Sequence, residues 1–483
     1  MSVKVHGRRG AGLLALAFLA DPASAEVRLP AILSDHMVLQ RAPRVPVWGW
    51  AAPNEAVAVQ FGSQVRSTRA GADGRWRIAL DLSSAPQAPA HLAVRGEANE
   101  IVVNDVLVGE VWLASGQSNM EKPLGEKKGQ RPTFGFEDAI AGADHPDIRL
   151  FKVAKTKAER PADDVKGSWV RTSPATIVAN EFSAAAYHFG RRLKQELGTP
   201  VGLVDATWGG TRIESWTPPG LVPPQALPPE VKDQPSTLYN GMVAGLAPFA
   251  FKGALWYQGE SNLIRTDDGP AYTPKMEALI SGWRSAFEAE LPFYYVQLAP
   301  HLYSVVRAGQ VLHGTESLPR LREAQLDALR VPNTAMIVTT DLADDLRDIH
   351  PRDKQTVGLR LANLALAKTY GRPGIEPFGP TFRAVRFVDG RAIVGFDHAH
   401  GLAARDGAAL NWFEIAGADG RYHPATATIE GGEVVVGSSE VAAPAAVRLG
   451  WHEAATPNLV NRAGLPAVPF RSEHPIPSNA LSR

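Results

Sequence analysis

Ser118 is the residue with the clearest capacity for chemistry. An apolar run over 101–113 stops at Ser115-Gly116, and Ser118 follows between two amides, Gln117 and Asn119. A serine on a sharp turn after a buried strand projects its hydroxyl outward with backbone N–H groups beside it, the posture of a nucleophile. A hydroxyl is a weak nucleophile at neutral pH. It needs a base, a group that orients the base, and donors for the oxyanion that forms. With 13 histidines in the chain, a histidine carries weight only beside a carboxylate. Asp348 and His350 stand two apart. In an extended loop they face the same way, so the carboxylate can hold one imidazole nitrogen while the other faces a serine. Asp344 and Asp345 are alternative orienters. Ser261 competes with Ser118, because both lie in Gly-x-Ser-Asn after an apolar run; spacing alone does not separate them.

Three further polar segments offer supporting groups. Gly209-Gly210 follows a short apolar run, and glycine there allows the backbone to approach a ligand closely. Gln258-Gly259-Glu260-Ser261-Asn262 ends another run. Trp208, Arg212, Glu214 and Trp216 surround the glycine pair. Aromatic faces and charges of this kind suit sugar rings and hydroxyls, and Arg212 and Glu260 are the candidate substrate contacts. The alternative is a packed Trp216 and an Arg212–Glu214 ion pair. Asp397-His398-Ala399-His400 imitates a catalytic or metal-binding spacing, but it lies in a strand-rich region away from the other motifs and reads as structural. The chain has no cysteine, which excludes thiol catalysis and thiolate metal sites. No metal or cofactor is called for, and no phosphate-binding glycine loop is present.

The elements that must position these groups fall into three blocks. Residues 26–105 read as short alternating strands punctuated by turn residues, a small β-sandwich. From 106 to 375 strands and helices alternate. Strands are expected over 201–206, 254–257, 293–298 and 335–340, and helices over 182–197, 236–249, 274–290, 318–329 and 354–370. This order implies a parallel sheet flanked by helices, with its ligand beyond the carboxyl ends of the strands. Every polar motif of this block lies at such an end, including Asp348 and His350 after the 335–340 strand. The stretch 121–180 is poor in periodicity and reads as a long excursion over the active-site mouth. A second proline-rich loop covers 218–235. From 376 to 483 the pattern is β-rich, with Asp389-Gly390 and Gly431-Gly432 as turn signals.

The block GEVWLASGQSNM, residues 109–120, resembles the nucleophile block of the sialate O-acetylesterase family, a carbohydrate-esterase branch of the SGNH hydrolases. The segment 29–50 resembles that family's N-terminal domain, the segment around Asp348 and His350 its Asp/His block, and 413–420 and 464–471 its C-terminal region. The resemblance thus covers nearly all of the chain after residue 25. It implies an SGNH-type α/β fold in which Ser118, not Ser261, is the nucleophile, with Asp348 and His350 completing the triad. It implies an oxyanion hole from the Ser118 N–H, Gly210 in the glycine block, and Gln258 where the wider superfamily uses an asparagine; Asn262 and Asn119 are alternatives. The D-x-H spacing departs from the D-x-x-H usual in that superfamily. The implied activity is removal of O-acetyl groups from carbohydrates through an acetyl-enzyme, on sialic acid or, in related branches, on acetylated xylan.

Bulk properties fit this expectation. Lys+Arg and Asp+Glu are 50 each, so no net field attracts nucleic acid or an anionic membrane. Residues 1–25 read as a secretory signal: Lys4, Arg8 and Arg9, an apolar stretch over 11–20, then Ala23-Ser24-Ala25. Export to the periplasm or outside the cell follows. A non-catalytic carbohydrate-binding protein would predict a missing triad member, and a lipase or thioesterase an apolar channel. Glu121, Lys122, Lys127 and Lys128 beside Ser118 give no such channel.

Overall fold

The computed structural model describes residues 1–2, 26–222, 235–304, 313–474 and 476. The expected signal segment and most of the second proline-rich loop lie outside the described residues.

Six strands come first: β1 (Val38–Gln40), β2 (Val45–Trp50), β3 (Ala56–Phe61), β4 (Gln64–Arg69), β5 (Arg75–Leu80) and β6 (Ala90–Arg95). β3 pairs antiparallel with β4 and β6, and β2 pairs with β5 in a separate two-stranded sheet. Alternation dictates the inner faces: Val57, Val59 and Phe61 of β3 and Trp76, Ile78 and Leu80 of β5 are buried, while their neighbours are not.

β7 (Glu100–Gly116) is 17 residues long and serves two sheets. Its first part pairs antiparallel with β6 as far as Val106. From Leu107 it pairs parallel with β1, then from Glu110 with β10 (Val201–Thr207), and from Trp112 with β11 (Gly253–Tyr257). Buried residues alternate in the first part and become continuous after Val106, the mark of a strand covered on both faces.

Between β7 and β10 stand α1 (Ser118–Glu121), α2 (Phe136–Ala141), β8 (His145–Lys152), β9 (Trp169–Thr172), α3 (Pro174–Ala179) and α4 (Ala184–Leu197). After β10 come α5 (Ile213–Trp216), β11, α6 (Glu260–Thr266), α7 (Tyr272–Phe287), β12 (Phe293–Val296), α8 (Ser317–Asp327), β13 (Thr334–Ile337) and α9 (Lys354–Lys368). The central sheet runs β13-β12-β11-β7-β10-β8-β9, parallel except for β9. Side chains of β12 show why helices occupy both faces. Phe293 meets Trp283 of α7 and Tyr295 bonds the Gln325 carbonyl of α8, whereas Tyr294 points the other way, to Trp112 and Thr369 at the end of α9. Ser183 caps α4 through the Ala186 N–H and Gly198 (φ 65°) closes it; Asp353 caps α9 through the Thr356 N–H.

Two expectations are corrected here. The 121–180 stretch is not one excursion, because β8 lies in the sheet beside β10. Only the last part of β8 is apolar, and Pro146-Asp147 masks its alternation. The 236–249 stretch is not a regular helix; it is a π-helical turn over Tyr239–Val243 followed by a 3-10 turn, Ala244–Leu246.

The C-terminal strands begin with β14 (Thr381–Val388) and β15 (Arg391–Asp397), joined at Asp389 (φ 48°) and Gly390 (φ 72°), the two positive φ values of a tight hairpin. They belong to a four-stranded antiparallel sheet that faces a second apolar cluster of its own, built around Phe382, Phe396, Phe413 and Phe470. Among the described residues no helix is long and apolar enough to cross a membrane.

Candidate active site

β7 ends at Gly116 (φ 132°), where a Cβ would lie 2.2 Å from the Tyr257 carbonyl oxygen. Only glycine allows the chain to break there, and it places Ser118 at the first position of α1, at the carboxyl edge of the sheet. His350 Nε2 lies 2.9 Å from Ser118 Oγ. Asp348 Oδ1 accepts the His350 backbone N–H at 2.9 Å and lies 3.5 Å from the imidazole Nδ1. Asp345 instead accepts the Arg347 N–H, and Asp344 accepts the Arg352 N–H. Asp348 is therefore the carboxylate at the ring. Arg131 Nε donates to its other oxygen at 2.9 Å. Burial raises the Asp348 carboxyl, but the His350 N–H and Arg131 outweigh it and hold it low.

Burial pushes the His350 imidazole down to about 4, aided by the charges of Lys354 and Lys122 and opposed by Asp348. The ring is thus neutral, able to accept a proton, through the whole neutral range. A fall in kcat/KM on an aryl acetate should therefore appear only as pH drops through about 4, where an imidazole at its ordinary 6.5 would already have lost activity. The same shift has a stability sign. Between 6.5 and 4 the unfolded chain binds the proton first, so stability declines as pH falls through that window. An acid limb near 6.5 in the rate profile would refute the burial argument.

The glycine pair abuts the serine. Gly209 donates its N–H to Glu121 Oε2, and a Cβ on Gly209 would lie 3.2 Å from Ser118 Cβ. Gly210 has φ 73°, open space where a Cβ would be, and no acceptor for its N–H among the described residues; the same is true of the Ser118 N–H. Glu121 is a residue that sequence reasoning treated only as a flanking charge. Burial raises its carboxyl, but Lys155 (2.6 Å) and Lys127 (3.0 Å) outweigh that and keep it ionised, so it holds the glycine block against the serine turn.

Three expected site residues are not where the site needs them. Gln258 is fully buried; its amide N–H₂ is enclosed by the acceptors of Gln117 (3.1 Å), Thr211 (3.2 Å) and Asn262 (2.7 Å), and its Oε1 takes the Tyr272 hydroxyl. No N–H is left for an oxyanion. The alternative donors are committed too: Asn262 to Glu214 and Asp268, and Asn119 to Glu260 and the Ile349 carbonyl. Arg212 is 1% exposed and pairs with Glu214 inside a network that includes Lys275 and Asp268, so it is an internal ion pair and not a sugar contact. Glu260 is likewise interior. Gln117, in turn, was visible in the sequence as one of the two amides flanking Ser118. Its Oε1 accepts from Gln258 and from the Ser261 N–H (3.1 Å), tying the serine turn to the start of α6. Among the described residues Ser261 has no imidazole partner, which separates it from Ser118. His398 lies 3.1 Å from Glu376 and His400 3.4 Å from Arg462, both in the C-terminal region.

A mixed parallel sheet flanked by helices, with a serine and histidine joined at its carboxyl edge, defines an SGNH-type hydrolase. A model of the family described as carbohydrate esterase, sialic acid-specific acetylesterase, matches residues 108–367. The sialate O-acetylesterase of Pongo abelii is 31% identical over 400 residues, 73% of each chain, and that of Rattus norvegicus 30% identical over 449 residues, 78% of this chain and 80% of its own. A solved carbohydrate acetylesterase from Xanthomonas citri superposes with a TM-score of 0.83 at 40% identity, covering 92% of this chain and 99% of that one. The chain belongs to the sialic acid-specific acetylesterase family of carbohydrate esterases. It is a carboxylic ester hydrolase that removes O-acetyl groups from carbohydrates.

Proposed function

We propose that Ser118, His350 and Asp348 form the catalytic triad. His350 Nε2 takes the proton from Ser118 Oγ as the oxygen attacks the acetyl carbonyl. The Ser118 and Gly210 N–H groups receive the oxyanion. The imidazolium, held by Asp348, then protonates the departing sugar oxygen, which leaves as the alcohol, with an acetyl group on Ser118. Water, deprotonated by the same imidazole, cleaves that ester to acetate. The observation that carries this reading is the 2.9 Å Ser118–His350 contact at the carboxyl end of β7. In this reading residues 26–105 are the sandwich domain, 106–375 the catalytic domain and 376–483 the C-terminal domain. Residues 1–25 direct export to the periplasm or the medium.

For the substrate, the family description and the names of the relatives support an O-acetylated sialic acid. A second reading, acetylated xylan, is favoured by the formal net charge of zero, which gives no long-range attraction to an acidic sugar. Acetate release from 9-O-acetyl sialic acid and from acetylated xylan, measured in parallel, tests both. Faster release from the sialic acid is expected under the first reading. No release from either would refute the substrate class.

A further inference from the structure

Away from the serine, a cleft of about 480 Å³ opens between the β2–β5 sheet and the segment 239–248. Its volume falls in the range of ligand sites, which are mainly apolar and aromatic with a few placed polar groups. The register of β2 and β5 sets Trp48 opposite Arg77 and Trp50 opposite Arg75, so both indoles and both guanidiniums project from one face. On that strand the two tryptophans stand about 6.6 Å apart along the chain. Tyr239, the first residue of the π-helical turn, forms the facing wall; such turns recur at functional sites. Trp76, opposite Gly49 in the register, turns its ring to the other face of the sheet and into the core. The guanidinium of Arg28 stands over one face of Trp50, 5.2 Å from the ring centroid, and holds that ring in place.

The rim charges are already matched. Arg75 pairs with Asp163, and Arg77 with Glu288 at 2.8 Å. The cleft therefore offers the part-exposed Trp50 ring and paired rim charges, with Arg28 held on that ring and with Trp48 and Tyr239, each 8% exposed, packed mostly inward. That combination suits a neutral, hydroxyl-rich ring with apolar C–H faces, and suits an acidic sugar poorly. One chain segment links the catalytic rim to the cleft. Lys155 and Lys157 stand over the ring of Trp208, next to Gly209. Four residues after Lys157 the same segment reaches Pro161, which lines the cleft. Four residues span at most about 14 Å, a short distance for a polymer.

We propose that this cleft is a non-catalytic binding site for the chain of a neutral polysaccharide, holding it so that acetylated units reach Ser118. The proposal rests on the esterase reading only for what lies at the far end of the chain. Its test reads binding alone, so the two fail separately. Affinity electrophoresis of the protein in gels containing soluble, unacetylated xylan offers the serine nothing to cleave. The protein should be retarded, and Trp50→Ala should weaken the apparent affinity at least fivefold. Ala162→Trp, which fills the cleft without hollowing the fold, should do the same. Equal retardation of the parent and both variants would overturn the proposal, as would a parent that xylan does not retard, or one retarded only by polysialic acid.

Discussion

Ser118→Ala should lower turnover of a small acetate ester by about 10⁶-fold, the size of loss expected when a serine hydrolase loses its nucleophile. Among the described residues the side chain makes a single hydrogen bond, to His350, so the fold should be nearly as stable without it. What remains is the pair of backbone donors and the bound substrate, which by themselves retain about 10³- to 10⁴-fold catalysis over water. His350→Ala should cost a similar amount, and the double variant little more than either, because the two act as one unit. Initial rates on an aryl acetate, with circular dichroism as the control for folding, provide the measurement. A loss smaller than about a hundredfold would move the nucleophile elsewhere, and Ser261 would be the next residue to test.

The second large effect is expected one residue further on. Asn119 is 1% exposed and joins three segments: its amide nitrogen donates to Glu260 and to the Ile349 carbonyl (3.0 Å), and its oxygen accepts from Lys354 Nζ at 2.7 Å. Lys354 is itself fully buried; burial pushes it down to about 7, with Lys122 adding to the shift. Burial also raises Glu260, against the Asn119 hydrogen bond and the Lys354 charge. Asn119→Ala leaves a buried amine, a buried carboxyl and a backbone carbonyl without their shared partner. A buried polar group left without its hydrogen-bond partner costs about 1–3 kcal/mol, more when it is charged, and the midpoint in urea should fall accordingly. Freed from Asn119, the loop that carries His350 shifts, and a displacement of about 1 Å lowers kcat by on the order of 10²-fold. Lys354→Met separates electrostatics from packing. The buried cation helps to depress His350, so its loss should move the acid limb to higher pH. A limb that stays near 4 would mean the cluster supports the fold without tuning the base.

The parts of the site that could be read from sequence are those whose function depends on position along the chain. Ser118 follows a buried strand and a glycine, and Asp348 and His350 follow another strand two residues apart; the structure brings the serine and the imidazole together across 232 positions. The parts that were misread depend on which way a polar side chain points. Arg212, Gln258 and Glu260 stand at the correct edge of the sheet but turn inward, because Glu214, Asn262 and Asn119 offer them buried partners. Spacing does not encode that choice. β8 was hidden for a different reason: it lies near the edge of the sheet, covered on one side only by the short β9, and half of its residues are not apolar.

The long β7 strand also bears on how the molecule can be divided. Position 105, where composition changes, falls inside an unbroken ladder that pairs with β6 on one side of the boundary and with β1, β10 and β11 beyond it. A cut there would not release two modules. It would strip β1 from its parallel partner, Leu107 to Gly109, and leave that stretch of β7 as a bare edge, a template for pairing with other chains. The N-terminal strands β1 and β6 are thus a splint for the strand that leads into Ser118.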